Sequence, residues 1–217
     1  SENWEDWVDP TTTVLQDIID DPILQANNTR IIAEPWTAAG TGPGIGGFTT
    51  STDDPAYAWH EWNAHFRDWW RSFVNEDGFM LNSTEGIDGG GTLTGSAGVY
   101  GWNDRKPYHS VNFVTVHDGF TLYDLFSYDE KQNGCGLLNP VCCDDPLSVW
   151  CDDESGENHN RSRNWGDEAT KRQFMRNMFV AMFVSHGTPM ILGGDEWIRT
   201  QFGNNNAYSD GSDNEWN

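Results

Sequence analysis

The chain has 217 residues, and its 34 acidic against 12 basic residues give it a formal net charge of −22 at pH 7. A charge of this size repels nucleic acid and anionic membranes, so neither is expected as a partner and a neutral ligand is favoured. The sequence contains no run of about 18 apolar residues, which a membrane-spanning helix would need. Its 12 Trp, 11 Phe and 6 Tyr residues supply bulky side chains for a core and flat faces on which sugar rings can stack.

The first half of the chain reads as a helix and two strands separated by loops. Apolar residues recur with helical spacing over 11–26, where Pro22 interrupts the pattern. A first strand is predicted over 30–34, and a loop rich in Gly and Thr follows over 37–52. The aromatic-rich stretch after that loop predicts a short strand around 64–67 and then a helix.

The second half adds two strands and the clearest helix. A loop rich in Gly, Thr and Ser over 82–98 precedes a strand over 111–116, which is apolar on both faces, as in a parallel strand covered on both sides. A long acidic loop runs from 133 to about 160 and carries all four cysteines. A helix over 169–185 and a strand over 188–192 follow. Strands alternating with helices predict an α/β fold with a parallel sheet.

Three of the predicted strands end in charged or polar residues. Glu34 follows the first strand, His117 and Asp118 follow the third, and Asp195 and Glu196 follow a Gly-Gly turn after the last. Parallel strands bring their carboxyl ends to one rim, where barrels and doubly wound sheets place their chemistry, so we expect these groups to face one site. Carboxylates in strand-to-helix loops also act as helix N-caps, and that alternative is open for Asp195 and Glu196.

The four cysteines fall within one short window of the acidic loop. Two of them are adjacent and do not offer the paired C-x-x-C spacing of a zinc site, so no metal is assigned to them. Two local disulfides that staple the loop are expected instead, with three possible connectivities; we favour those in which the outer cysteines each pair with one of the middle two. Because disulfides persist in oxidising compartments, we expect a secreted or periplasmic protein. The residues are Cys135, Cys142, Cys143 and Cys151.

The acidic residues of the same loop have oxygen atoms suitable for calcium. Their spacing does not match an EF-hand, and a solvated acidic loop is the simpler interpretation. We therefore expect no required cofactor, and structural calcium is the one metal to be considered. The acids are Asp144, Asp145, Asp152, Asp153 and Glu154.

Five stretches, taken in order, carry a resemblance to a known family: RIIAEPW, WNAHFRDWWRSF, LTGSAGVYG, VNFVTVHDGFTLYDLFSYDEKQN and TPMILGGDEWIRTQFGNNNAYSDGSDNE. Together they resemble the isoamylase and glycogen-debranching branch of the α-amylase superfamily (glycoside hydrolase family 13). The resemblance implies that residues 1–217 form the second half, strands five to eight, of a catalytic (β/α)8 TIM barrel, with the cysteine loop inserted after strand seven. It also implies retaining hydrolysis of α-1,6 branch points in glycogen- or amylopectin-type α-glucans.

The resemblance also implies roles for particular residues. Glu34 matches the general acid/base, and His117 and Asp118 match the pair that holds the sugar in the subsite where cleavage occurs. Trp36 would flank the leaving-group sugar, although core packing explains it almost as well. Retaining hydrolysis needs an acid that protonates the leaving oxygen and a carboxylate nucleophile about 5–5.5 Å away.

The loop after the last strand resembles a segment near the substrate cleft of the family. Arg199, Asn205 and Asn206 are its candidates for contact with bound glucan, and ordinary turn and loop roles for asparagine are the alternative.

One departure from the family pattern is important. The family nucleophile sits in a strand upstream of the acid, in a GFRFDLA-like motif that this sequence lacks. Asp118 is an alternative nucleophile, but we favour a nucleophile outside this chain, which we expect to be inactive without the remainder of the barrel. The upstream half and the C-terminal domain are expected on residues beyond these. A noncatalytic glucan-binding or structural fragment, or an α-1,4-acting hydrolase or transferase, are the alternative functions.

Overall fold

Four short parallel strands form one sheet in the computed structural model, which describes residues 14–36, 44–76, 89–133 and 156–207. They hydrogen-bond in the sequential order β1-β2-β3-β4, each parallel to the next. A doubly wound sheet reverses its strand order at a switch point, whereas the strands of a barrel follow one another around it. The observed order therefore fits part of a (β/α)8 barrel. The strands are β1 (Ile32–Ala33), β2 (His60–Asn63), β3 (Ser110–Asn112) and β4 (Thr188–Pro189).

Helices precede the sheet and fill the connections on either side of β3. Among the described residues, two lie before β1, three lie between β2 and β3, and two lie between β3 and β4. None of the described helices is long and apolar enough to cross a membrane. The helices are α1 (Val14–Ile19), α2 (Pro22–Ala26), α3 (Ala64–Asn75), α4 (Gly89–Leu93), α5 (Ala97–Tyr100), α6 (Leu122–Leu125) and α7 (Glu168–Val184), with 3₁₀ turns at Gly101–Asn103, Pro107–His109 and Asp195–Trp197.

Most predicted elements are found in place, and two local predictions are wrong. The strand expected around 64–67 is the first turn of α3, and β2 ends just before it. The helix begins there because the Asn63 side-chain oxygen accepts the Phe66 N–H at 3.0 Å, as an N-cap does. The single helix expected over 11–26 is two helices, because Asp21 accepts the Ile23 N–H at 2.8 Å and caps a new helix that starts at proline.

The loop predicted over 82–98 is only partly a loop. Within its described part, α4 and the start of α5 are helical. Glycine-rich sequence disfavours helix when considered alone, so tertiary context overrides propensity here.

The described residues cluster into two compact units. The first comprises residues up to Phe66 together with Gly86–Phe113 and Phe183–Met190, and it contains the whole sheet. One core of this unit gathers Ile19, Ala33, Phe48 and Trp59, with partly buried neighbours around them. A second apolar group contains three aromatic rings: the Phe113 ring lies 6.5 Å from Trp36 and 5.8 Å from Trp62.

The second unit comprises Arg67–Glu85, Val114–Met182 and the residues from Ile191 onward. Its core is aromatic and aliphatic, and the ring of Phe174 lies 5.7 Å from Phe126 and 4.4 Å from Trp165. Met178 and Met182 of α7 are buried, so their role is core packing. Phe120, Leu122, Leu125 and Phe126 are buried in the same unit.

Candidate active site

Glu34 directly follows β1 in the first unit, and its side chain is exposed. The neighbouring Pro35 is buried, which fixes the chain where it leaves the strand. Trp36 is half-buried, with its ring 6.3 Å from Trp62. Packing therefore accounts for part of the Trp36 surface, while the exposed carboxylate beside it is available to a ligand. The acid/base assignment of Glu34 remains a prediction.

His117 and Asp118 form a surface turn in the second unit. The buried run that begins in β3 continues to Val116, and the side chains of His117 and Asp118 that follow it are 55% and 66% exposed. His117 Nε2 lies 3.5 Å from an Asp118 carboxylate oxygen. The next residue, Gly119, has φ of +96°, a left-handed conformation that glycine adopts without steric cost. The sequence thus places an accessible imidazole and carboxylate side by side at the end of a buried segment.

Asp195 differs from Asp118 because it is buried and fully engaged. Its carboxylate accepts the Leu122 N–H at 3.0 Å and also accepts the Thr115 hydroxyl. Burial raises the pKa of the Asp195 carboxyl, and these hydrogen bonds oppose that shift. Because Leu122 is the first residue of α6, Asp195 satisfies a free N–H at the start of that helix. The capping alternative therefore describes Asp195 better than a site role, while Glu196 accepts the Gly194 N–H at 2.9 Å.

A pocket of about 610 Å³ lies in the loop after the last strand. Arg199, a predicted glucan contact, lines it, and so does Trp197, whose side chain is 83% exposed. Asn206, a second predicted glucan contact in this loop, is half-buried and donates its backbone N–H to the Asn204 side chain at 2.8 Å. The remaining lining residues are Leu192, Gly193, Gly194, Ile198 and Thr200.

A buried ion pair in the first unit was not predicted. Glu61 and Arg105 are bonded to each other, and both side chains are fully buried. Glu61 also accepts the Gly46 N–H at 2.6 Å and the Phe48 N–H at 3.2 Å, so it anchors the loop that follows the Glu34 segment. Burial raises the pKa of the Glu61 carboxyl, and the Arg105 guanidinium opposes that shift. A glutamate between His60 and Trp62 inside an aromatic stretch was the sequence signal for this pair.

A pair of buried histidines lies beside that ion pair in the first unit. The rings of His60 and His109 are 4.8 Å apart, and the His109 Nδ1 accepts the Lys106 N–H at 2.9 Å. Burial lowers the pKa of His109 to about 4, and the neighbouring His60 acts in the same direction. Both imidazoles are therefore neutral at pH 7, which suits a structural role.

The predicted site residues fall in both units. Glu34 and Trp36 belong to the first unit, whereas His117, Asp118 and the loop after the last strand belong to the second. The cysteines and the acids proposed for calcium lie outside the described residues. Within the described ranges, no group of three or more His, Cys, Asp or Glu residues could hold a metal ion.

The chain is similar to several curated proteins over about nine-tenths of its length. It is 42% identical over 199 residues to the isoamylase of Flavobacterium sp., of which it covers 23%. It is 40% identical over 207 residues to the chloroplastic isoamylase 1 of Arabidopsis thaliana, covering 90% of this chain and 23% of that protein. It is 37% identical over 205 residues to the glycogen operon protein GlgX homolog of Mycobacterium tuberculosis, covering 90% of this chain and 25% of that protein. These matches confirm the resemblance to isoamylases and glycogen-debranching proteins, and the chain spans about a quarter of the length of these relatives.

Two solved structures share the fold. A pullulanase from Bacillus acidopullulyticus matches 90% of this chain and 20% of its own, with a TM-score of 0.53 at 19% identity. A pullulanase from Anoxybacillus sp. LM18-11, complexed with maltotetraose, matches 88% of this chain and 24% of its own, with a TM-score of 0.51 at 20% identity. No protein-family model matches the chain.

Proposed function

We propose that this chain is part of a retaining glycosidase that cleaves α-1,6 branch points in glycogen- or amylopectin-type α-glucans. The observation that carries the proposal is the 42% identity to an isoamylase along nine-tenths of the chain. The parallel strands in sequential order and the exposed groups after β1 and β3 add support. We assign β1 to β4 to strands five to eight of the barrel.

In this proposal Glu34 donates a proton to the oxygen of the branch linkage and later activates the attacking water. Its exposed position after β1 leaves the carboxyl group accessible to a glucan. His117 and Asp118 hydrogen-bond the hydroxyls of the sugar whose bond is cleaved, since an imidazole and a carboxylate can together donate to and accept from hydroxyls. Trp36, Arg199 and Asn206 are proposed to contact the glucan.

The nucleophile is proposed to lie on residues beyond this chain. Retaining hydrolysis needs two carboxylates, and Asp118 belongs to the sugar-holding pair in this assignment. The two carboxylates flanking the bond would then come from Glu34 and from the upstream half of the barrel.

The chemistry of the cysteine loop belongs to the proposal as well. Two disulfides among its four cysteines would rigidify the loop and indicate an oxidising location, secreted or periplasmic. The Arabidopsis relative is named as chloroplastic, which is a statement about that protein. Thiol counting with and without a reductant tests the disulfides: four free thiols under denaturing, nonreducing conditions would contradict them.

The function is tested on the natural protein that contains this chain. Reducing-end release is measured from glycogen, pullulan and linear maltodextrin, for wild type, Glu34→Gln and the control Glu130→Gln, which alters another exposed glutamate. We expect release from the branched substrates, a loss of about 10²–10⁴-fold in Glu34→Gln and no loss in Glu130→Gln. Release from the linear chain alone would indicate an α-1,4-acting enzyme, and glucan binding without any release would indicate a noncatalytic module.

A further inference from the structure

Asn205, in the loop after the last strand, is a buried and fully hydrogen-bonded residue of the second unit. It is 1% exposed, and its backbone and side-chain groups all have partners. Its N–H and side-chain oxygen bond to the Asn133 amide at 2.9 and 2.7 Å. Its side-chain nitrogen donates to the Glu157 carbonyl and to the Asn160 side-chain oxygen, both at 2.7 Å.

The fifth hydrogen bond of Asn205 reaches the turn that carries His117 and Asp118. The Asn205 carbonyl oxygen accepts the Gly119 N–H at 2.9 Å. The side chains of the His-Asp pair are more than half exposed, so the position of the turn depends on how its backbone is held. Gly119 is the residue next to Asp118, and its bond to Asn205 fixes the turn where the backbone leaves the pair.

The packing around Asn205 leaves little room for adjustment. A Cβ atom placed on Gly156 would lie 2.4 Å from the Asn205 side-chain oxygen, so only glycine fits beside it. A side-chain amide offers two donors at one end and an acceptor at the other, and the cluster uses both ends. A fully satisfied polar cluster of this kind fixes one arrangement, and changing one member leaves its neighbours unpaired.

We propose that Asn205 is a positioning residue, which holds the His117–Asp118 turn in the geometry that receives the sugar. Its catalytic consequence rests on the proposed glycosidase function, whereas its effect on the turn does not. Asn205 bonds to the backbone beside the pair and is 1% exposed, so in this proposal it acts through the turn and not on the sugar.

The test uses variants of the natural protein. Asn205→Asp keeps the shape of the side chain but sets an oxygen against the Glu157 and Asn160 oxygens, and Asn133→Ala removes two bonds while Asn205 stays intact. The matched control is Asn75→Ala. Asn75 is a buried asparagine at the end of α3 that donates to the Arg161 carbonyl and accepts the Trp165 indole N–H, both at 2.9 Å, and neither partner belongs to the His117–Asp118 turn.

Two measurements are made on each folded variant: hydrogen–deuterium exchange of the peptide containing Gly119, and steady-state kinetics on a branched glucan. We expect the Gly119 amide to exchange at least about tenfold faster in Asn205→Asp and Asn133→Ala than in wild type. We also expect kcat/KM to fall about 10- to 100-fold in both variants because kcat falls. Asn75→Ala should lower Tm and change neither quantity.

Unchanged exchange at Gly119 in the Asn205 and Asn133 variants would overturn the proposal, and so would equal acceleration in Asn75→Ala. Faster exchange with wild-type kcat/KM would overturn the catalytic part. If the wild-type protein cleaves no glucan, the proposed function fails, and the exchange data alone still decide whether Asn205 holds the turn.

Discussion

Removing Arg105 should destabilise the protein through the charge it leaves behind on Glu61. In the folded chain Arg105 bonds to Glu61, donates to the Gly46 carbonyl at 2.9 Å and donates to the Asn103 side chain at 3.1 Å. The Gly46 carbonyl also accepts the Trp102 indole N–H at 3.0 Å, so Arg105→Met does not leave it unpaired. The loss is therefore dominated by the buried carboxylate, which loses its cation.

Breaking a buried ion pair from one side costs about 3–5 kcal/mol, and we expect Arg105→Met to lower the free energy of unfolding at pH 7 by about that amount. Glu61 still accepts the Gly46 and Phe48 N–H groups in this variant, so we expect a loss near the lower end of that range. The double variant Glu61→Gln/Arg105→Met removes both charges and keeps a side-chain oxygen that can accept a backbone N–H, so it should recover most of the loss and give a double-mutant cycle with strong coupling.

The loss should also depend on pH in a defined direction. Because burial raises the folded-state pKa of Glu61, folding disfavours its charged form, and losing Arg105 strengthens that effect. The free-energy penalty of folding with a charged Glu61 is then largest above the folded-state pKa and disappears below the pKa of the unfolded chain. The difference in free energy of unfolding between Arg105→Met and wild type should therefore shrink as the pH falls from 7 towards 4.5.

Urea unfolding at several pH values gives the free energy of unfolding of Arg105→Met, of the single Glu61 variant and of the double variant. A loss below about 1 kcal/mol for Arg105→Met, or a double variant as unstable as the sum of the two single variants, would refute the reasoning.

Three further changes test other parts of the chain. The pKa of His109 is lowered to about 4 in the folded chain, so between pH 6.5 and about 4 the unfolded chain binds more protons than the folded one. Acidification through this range should therefore lower Tm, and His109→Gln should make Tm less dependent on pH. Gly187→Ala should lower the free energy of unfolding by about 1–3 kcal/mol through backbone strain alone, because Gly187 has φ of +139°. The new Cβ would also lie 2.4 Å from the Asn112 side chain, and urea unfolding measures the total loss. Trp197→Ala should leave Tm unchanged because the indole is 83% exposed, and a raised KM for branched glucan with unchanged kcat would indicate that the pocket binds sugar.

Strands β1 and β3 could be predicted from the sequence because each belongs to a short apolar run that ends abruptly, whereas β2 (His60–Asn63) is largely polar and lies just before the position predicted for it. Ile31 to Ala33 and Val111 to Val116 carry that signal locally, and α7 carries an equally local helical one. The start of α3 could not be read in the same way, since Ala64 to Arg67 suits a strand or a helix, and the side chain of Asn63 decides between them by capping Phe66.

The long-range polar contacts could not be predicted from the sequence. Asn205 lies 72 residues from Asn133, and Arg105 lies 44 residues from Glu61, so no spacing rule relates either pair. Each pair forms only after the chain has folded, and the residue types involved are equally common in solvated loops.

Asp118 and Asp195 show where a sequence pattern stops being informative. Both follow an apolar run, and the pattern alone gives them the same claim to a site. Asp195 is 2% exposed and its carboxylate bonds to Thr115 and Leu122 of its own unit, so a ligand would have to break those bonds to use it. The Asp118 carboxylate is 66% exposed, with His117 beside it. Side-chain exposure, which depends on tertiary packing, therefore separates a carboxylate that is open to a ligand from one that is already bonded to the start of a helix.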